Sequence, residues 1–373
     1  MGFRNKQIVF LICMFSFINN LFGQQNTGFE KADRVLKKLV RKNKIPGIAI
    51  TITKNGSTQY SKGYGYADLE KRTLVDPAIT IFRVGSVSKP IAAAGLAKMV
   101  ANGQLKLSDS IHDCVSYFPK KEFEFTLKQL GGHLAGIRNY KGNEFMNNKP
   151  LTIKEGVALF EDDPLLFQPG KGYSYTSYSW NLLSLAMQEV AHKPFEDIVK
   201  DEVLVPLGLS NTFPDKQQNV VSKAVFYRKK RRNKFVEASP VNNFFKLAGG
   251  GYLSTSEDIA KLGNAYLADE FLSKQVKKEF VTSQKIDDKL TYYGVGWQTS
   301  YDHENRPYFG HIGNGLGGYG IFYVYPNENV VVSILMNCSN LNVKFKSSFT
   351  KSIVNPIYYI CKYGSLESII YAM

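Results

Sequence analysis

Strand-forming segments lie towards the two ends of this chain, and helical segments with long polar loops fill the stretch between them. Near the start, Ile48 to Thr53 and Gln59 to Tyr66 flank Asn55-Gly56, a pair that favours a tight hairpin turn. Near the end, strand-like runs cover Tyr293 to Trp297, Gly317 to Tyr325 and Asn329 to Asn337, with Pro326-Asn327-Glu328 turning between the last two. The simplest solution is one antiparallel sheet assembled from both ends of the chain. The predicted fold class is therefore α/β: an antiparallel sheet flanked by helices, with a mostly helical region inserted in the middle. A cleft between sheet and insertion is then the natural place for a site.

Helical periodicity fills in the rest. Residues 27–44 form an amphipathic pattern, with Phe29, Ala32, Leu36, Leu39 and Val40 on one face and Lys31, Lys37, Lys38 and Arg41 on the other, stopped by Pro46-Gly47. Further helices are expected from Ser86 to Gly103, from Leu151, from Ser179 to His192 and from Ser256 to Leu267, with a Pro356-kinked helix from Ser347 to Cys361. A composition of 44% hydrophobic and 21% charged residues excludes disordered and fibrous classes. We expect a single domain over 24–373, its α/β part at about 24–115 and 245–373 and its mostly helical part at about 116–244.

Residues 1–23 carry the marks of a secretory signal. Arg4 and Lys6 precede an apolar run from Ile8 to Phe17, and Gly23 stands at a polar boundary. The run falls short of the ~20 residues that span a bilayer, so cleavage near Gly23 and export to a periplasmic or extracellular space are expected. Beyond it, Cys114, Cys338 and Cys361 are too few and too scattered for a disulfide framework. The five histidines, at 112, 133, 192, 303 and 311, have no ligand spacing, so no metal is expected. The net charge of +15 favours anionic partners. Its densest run, Arg228-Lys229-Lys230-Arg231-Arg232, reads as a solvated hairpin tip, with contact to an anionic surface as the alternative. No nucleic-acid motif accompanies it.

The chemistry concentrates in three places. In Ser86-Val87-Ser88-Lys89, residues three apart on a helix share a face, so Lys89 can stand beside the Ser86 hydroxyl. A buried amine has a lowered pKa and can accept the serine proton. Ser86 at the helix start would also offer backbone N–H groups to a developing oxyanion. Pro90 fits in the first turn, where its missing N–H has no ladder partner. The same spacing at Ser348 and Lys351 lacks this glycine-rich context and is read as chance. Second, Gln168-Pro169-Gly170 leads into Tyr173-Ser174-Tyr175-Thr176-Ser177, where Tyr175 on a turn can relay protons between nucleophile and leaving group. Third, Gly310-His311-Ile312-Gly313-Asn314 enters a strand. There His311, on an edge strand, can help activate the nucleophile or hold a substrate carboxylate, and Gly313 can let substrate backbone approach.

Taken together, these elements resemble the penicillin-recognising serine hydrolases, the group of class C β-lactamases, D,D-peptidases and related esterases, and most of all the serine β-lactamase-like LACTB proteins. The stretches Gly132-His133-Leu134-Ala135-Gly136-Ile137-Arg138, Phe226-Tyr227-Arg228, Ala248 to Thr255 and Gly310 to Gly313 extend the resemblance over about residues 30–340. It implies Ser86 as nucleophile, Lys89 as general base and Tyr175 as second acid/base. It further implies His311 and Gly313 as the third motif, and an oxyanion hole from the N–H groups of Ser86 and Asn314. His133 is expected to brace the loop below the active-site helix. The chain departs from the pattern twice: Tyr175-Thr176-Ser177 replaces Tyr-x-Asn, and His311-Ile312-Gly313 replaces Lys-Thr-Gly. Ser177, Gly313 and Asn314 remain the expected substrate-binding positions, but a β-lactam loses part of its grip.

The sequence therefore points to an exported serine hydrolase that forms a covalent acyl-enzyme on peptide amides, cell-wall peptides or esters, with no cofactor. A D,D-carboxypeptidase or weak β-lactamase is the rival within the enzymes. A non-catalytic penicillin-binding or filament-forming assembly protein is the rival outside them. Oligomeric state is left open.

Overall fold

The computed structural model describes residues 29–216, 220–230, 234–302 and 304–339. The signal sequence with Arg4, Lys6 and Gly23, the residues Arg231, Arg232, His303 and Cys361, the Ser348–Lys351 pair and the helix expected over 347–361 lie outside them. The chain divides into two compact units, Met1–Leu36 with Val354–Met373, and Lys37–Ile353. Of the first, the described part is the beginning of helix α1, Glu30–Arg41.

The second unit holds the sheet. Its strands are β1 (Gly47–Lys54), β2 (Ser57–Asp68), β3 (Thr73–Leu74), β4 (Gln298–Tyr301), β5 (Pro307–Gly315), β6 (Gly318–Tyr325) and β7 (Val330–Met336). They lie in the order β4-β5-β6-β7-β1-β2-β3, every neighbour antiparallel. The β1–β2 turn forms where Asn55 takes φ 51°, the left-handed conformation that a two-residue hairpin turn requires. The two ends of the chain meet where β1 pairs β7 in register, Ile48 opposite Met336 and Ile52 opposite Val332. These central strands are buried along almost their whole length, so both faces of the sheet are covered.

Helix α4, Ser256–Leu267, packs on β1, β6 and β7. Thr255 caps it, accepting from the Asp258 N–H at 3.2 Å. The threonines of β1 reach it as well: Thr51 Oγ1 lies 2.8 Å from Ser256 Oγ, and Thr53 Oγ1 donates to Asn264 Oδ1 at 2.6 Å. Helix α2, Ser88–Ala101, is buried on every side from Ser88 to Ala97. Its run of small residues, Ala92-Ala93-Ala94-Gly95, suits a central helix without an amphipathic face. The helix expected from Ser179 begins two residues earlier, as α3, Ser177–Ala191, because the Thr176 side chain caps it.

One sequence expectation changes. Tyr293 to Trp297 is a turn rather than a strand, because Gly294 N–H donates back to the Trp297 carbonyl at 2.8 Å and Gln284 N–H takes the Tyr293 carbonyl. The strand that pairs β5 is the following segment, Gln298–Tyr301. The basic run lies in a hairpin, as expected: Arg228 and Lys229 belong to the short strand Tyr227–Lys229, which pairs antiparallel with Phe235–Glu237 and also parallel with Cys338–Ser339. Cys114 and Cys338 are buried free thiols. Among the described residues, no helix is long and apolar enough to cross a membrane.

Candidate active site

The chain enters α2 through a single 3₁₀ turn, Gly85–Val87, which presents Ser86 half-buried at the mouth of a cleft of about 300 Å³. Gly85 takes φ +55°, and a β carbon there would meet the Asn314 amide nitrogen at 2.9 Å. Glycine is thus required both by the conformation and by the approach of β5. Ser88, the inner serine of the motif, is structural: its Oγ accepts from the Tyr252 N–H at 3.0 Å.

Lys89 is fully buried one turn on. Its Nζ lies 3.3 Å from Ser86 Oγ, 3.3 Å from Ser177 Oγ and 2.7 Å from the Gly249 carbonyl, to which it donates. Burial alone pulls its pKa from 10.5 down to about 7. A neutral amine has two hydrogens and a lone pair. With one hydrogen fixed on the carbonyl, the lone pair can turn to a serine hydroxyl, which is the arrangement a base needs.

Tyr175 stands against this pair. Its ring lies 4.7 Å from Lys89 Nζ, and its hydroxyl is near enough to Ser86 for that side chain to bear on its titration. Burial raises its pKa above the ordinary phenol value, so it is a neutral donor and not a phenolate base. The segment His133 to Arg138 holds its turn. The Ser174 N–H donates to the His133 carbonyl at 3.0 Å, the Thr176 N–H to His133 Nδ1 at 3.4 Å, and Thr176 Oγ1 to the Arg138 carbonyl at 2.8 Å. The His133 ring sits 4.5 Å from Tyr175 and 4.7 Å from Tyr293. His133 therefore braces the tyrosine turn and not a loop below α2, as the sequence reading had it.

His311 is placed differently from expectation. It is buried, it does not line the cleft, and both its ring nitrogens are engaged. Nδ1 donates to the Ile312 carbonyl at 2.7 Å, which leaves Nε2 to accept from the Tyr293 hydroxyl at 2.9 Å. Burial and the nearby Lys89 push its pKa down to about 3, so the ring is neutral and stands behind Tyr175, 6.0 Å ring to ring. Direct contact with a substrate carboxylate is thereby ruled out in this geometry. β5 is not the last strand of the sheet, but β4 covers only Pro307 to Gly310, so His311 to Gly315 keep one free edge.

That free edge faces the nucleophile. Ile312 N–H is capped by Gln298 Oε1 at 3.0 Å, on the side away from β6. Alternation along the strand points the N–H of Asn314 the same way, beside Gly85. Asn314 is exposed and lines the cleft with Ser86 and Ser177. Gly313 does not line it. A β carbon there would fall 1.8 Å from the Val84 carbonyl, so this glycine lets β5 close on the turn that carries Ser86; it is the chain's own backbone that approaches.

The structure thus brings Ser86, Lys89, Tyr175, Ser177 and Asn314 together and sets His311 and Gly313 behind them. It adds groups the sequence reading missed. The Gly249 carbonyl anchors Lys89, and Tyr293 holds His311. Tyr140 lines the cleft with Ser177, and Lys246 and Asn243 line it too. Gly249 lies inside the glycine-rich stretch noted in the sequence, but a main-chain acceptor leaves no side-chain signal. Among the described residues, no group of three His, Cys, Asp or Glu side chains could hold a metal ion.

Comparison with known proteins agrees with this geometry. A family model described as Beta-lactamase matches residues 32–351. The chain is 25% identical to the human (Homo sapiens) serine beta-lactamase-like protein LACTB, mitochondrial, over 80% of this chain and 74% of that protein. It superposes on the octameric penicillin-binding protein homologue from Pyrococcus abyssi with a TM-score of 0.74 and 26% identity, covering 83% of this chain and 73% of that one. D-amino acid amidase from Ochrobactrum anthropi SV3 gives a TM-score of 0.78 at 17% identity, with coverage of 93% and 100%, a likeness of fold.

Proposed function

The chain belongs to the Beta-lactamase family, whose members include serine hydrolases, and on that premise we propose that it cleaves ester or amide bonds through a covalent acyl-enzyme on Ser86. The observation that carries this reading is Lys89: a buried amine with no carboxylate partner, its pKa drawn down to about 7, within 3.3 Å of the Ser86 hydroxyl. Near neutral pH a large share of these amines is unprotonated, and the serine can be deprotonated without a histidine.

The steps follow from the positions. Lys89 takes the Ser86 proton as Oγ attacks the carbonyl carbon, and the carbonyl π electrons move to oxygen. The N–H groups of Ser86 and Asn314 receive that oxyanion at the start of α2. As the tetrahedral intermediate collapses, the bond to the leaving group breaks. The Tyr175 hydroxyl, beside Ser86 and close to Lys89, passes a proton to the departing oxygen or nitrogen and is refilled from Lys89. Water then repeats the sequence on the acyl-enzyme, with Lys89 again accepting the proton. His311, neutral and saturated, keeps Tyr293 and the ring stack behind Tyr175 in place.

Ser177 stands where an amide side chain would grip a β-lactam's acylamide, so esters and peptide amides are favoured over antibiotics as substrates. The amide chemistry named for the Ochrobactrum anthropi structure is in keeping with this. The test is labelling with a fluorophosphonate followed by peptide mass mapping. One adduct on Ser86, absent in Ser86→Ala and slowed in Lys89→Met, is expected; an adduct that survives Ser86→Ala overturns the assignment.

A further inference from the structure

The cleft wall opposite the nucleophile contains a second buried lysine that the reaction does not use. Lys246 is 7% exposed and lines the same cleft as Ser86 and Ser177. Its Nζ donates to the Phe145 carbonyl and sits 5.5 Å from the Tyr140 ring centre. Among the described residues it forms no ion pair. Asp215, whose charge acts on it, is taken up elsewhere: it accepts from Arg83, from Lys223 at 3.1 Å and from Asn243 Nδ2 at 3.0 Å. No acidic side chain lines the cleft, and the Arg83 guanidinium there is already paired. Burial, together with the Arg83 charge nearby, draws its pKa from 10.5 down to about 7, so near neutral pH the amine is protonated only in part, and an anion supplied from outside would hold it as the cation.

We propose that Lys246 binds a carboxylate on the acyl portion of the substrate, so that the enzyme prefers esters or amides of acyl groups ending in an anionic carboxylate. The proposal rests on the hydrolase reading above and names its substrate class. Direction comes from the neighbours. Tyr175, which serves the leaving group, adjoins His311 and Tyr293, whereas Ser177 shares the cleft with Tyr140, and Lys246 lies over the Tyr140 ring. The acyl group, held away from the leaving group, runs along Ser177 and Tyr140 to Lys246. Tyr140, Phe145, Val241 and Leu316 give this wall an apolar body suited to a short hydrocarbon segment between the two carbonyl carbons. One unpaired cation matches a monoanion. A phosphate would call for a second free cation, and Arg83 is not free.

The experiment compares two 4-nitrophenyl esters of glutarate, one with the distal carboxylate free and one with it capped as the methyl ester. The wild-type protein should favour the free acid by about ten- to a hundred-fold in kcat/KM, the size of one charge-assisted hydrogen bond. In Lys246→Met and Lys246→Gln the ratio should fall towards one, the capped ester serving as the internal reference. As a second reading on the unaltered protein, free glutarate should slow fluorophosphonate labelling of Ser86 at concentrations where butyrate does not. A wild-type ratio near one, or a preference that persists in both variants, overturns the Lys246 assignment while leaving the hydrolase intact. Absence of turnover of both esters together with absence of a Ser86 adduct overturns the hydrolase reading itself.

Discussion

Replacing Lys89 by methionine should abolish catalysis and yet stabilise the fold at neutral pH. The amine titrates at 10.5 in an ordinary setting and at about 7 in its buried one. At ~1.4 kcal/mol per pH unit, that difference costs the native state about 5 kcal/mol at pH 7 and below. Below pH 7 both states hold the proton and the cost is constant. Between pH 7 and 10.5 only the unfolded state holds it, so wild-type stability climbs with pH by ~1.4 kcal/mol per unit; above 10.5 neither state does and the cost is gone. Methionine fills similar volume without a charge but leaves the Gly249 carbonyl without its donor, a loss of about 1–3 kcal/mol. The variant should therefore be more stable than wild type by about 2–4 kcal/mol at pH 7 and less stable by about 1–3 kcal/mol above pH 10.5. Trp180 and Trp297, the chain's two tryptophans, are both fully buried and report urea unfolding of each protein at a series of pH values. Taking the difference between the two proteins cancels every other titrating group. A difference that stays flat from pH 7 to 10 would show that the amine is not held neutral by burial, and the case for Lys89 as base would fall with it.

Three further outcomes follow from the site. Tyr175→Phe removes the donor that faces Ser86 and the leaving group, and should lower kcat by about 10²–10⁴-fold while an activated fluorophosphonate still labels Ser86; unchanged kcat would remove Tyr175 from the proton path. Gly313→Ala drives a methyl into the Val84 carbonyl, so β5 must withdraw from the Ser86 turn; loss of Ser86 labelling and a stability drop of about 1–3 kcal/mol are expected, and a fully active variant would show that the approach is dispensable. Ser177→Asn restores a longer amide beside Lys89 and should raise kcat/KM for a chromogenic cephalosporin by about ten-fold or more relative to an ester, one recovered charge-assisted hydrogen bond; an equal change on both substrates would mean that Ser177 does not set the preference.

Much of this was legible where one short stretch of sequence decides the outcome. The Asn55-Gly56 hairpin and the helix Ser256–Leu267 came from local turn chemistry and periodicity, and the Ser86–Lys89 contact from helical spacing alone. What escaped depended on residues distant in sequence. The Gly249 carbonyl reaches Lys89 across the fold, and Tyr293 meets His311 only because its own segment turns back instead of pairing. Alternating Tyr293, Val295 and Trp297 looked like a strand because such alternation marks a buried face; all three are buried, Tyr293 against His311 and Trp297 against Phe309 and Phe322, so they pack onto sheet strands without extending the ladder themselves. His311 read as a substrate contact because histidine chemistry is general; which way its nitrogens are used is settled by two neighbours that no spacing rule foretells. Lys246 carried no motif at all, and only its burial beside an occupied Asp215 distinguishes it from the chain's many surface lysines.

The pairing of β1 with β7 has a kinetic side. Ile48 finds its partner at Met336, so during synthesis the β1–β2 hairpin waits, with an isoleucine-rich edge uncovered, until nearly the whole described chain has emerged. Long-range strand pairing of this kind is slow and leaves hydrophobic edges open to aggregation. It also makes activity an all-or-none property of chain completion. The β5 edge that presents Asn314 to Ser86 is held through β6 and β7 to β1, so a chain released before Val330 has a nucleophile but no seated oxyanion donor. Premature termination anywhere upstream should yield a fragment in which Ser86 is not labelled, because the topology of the sheet itself withholds the finished site until the chain is complete.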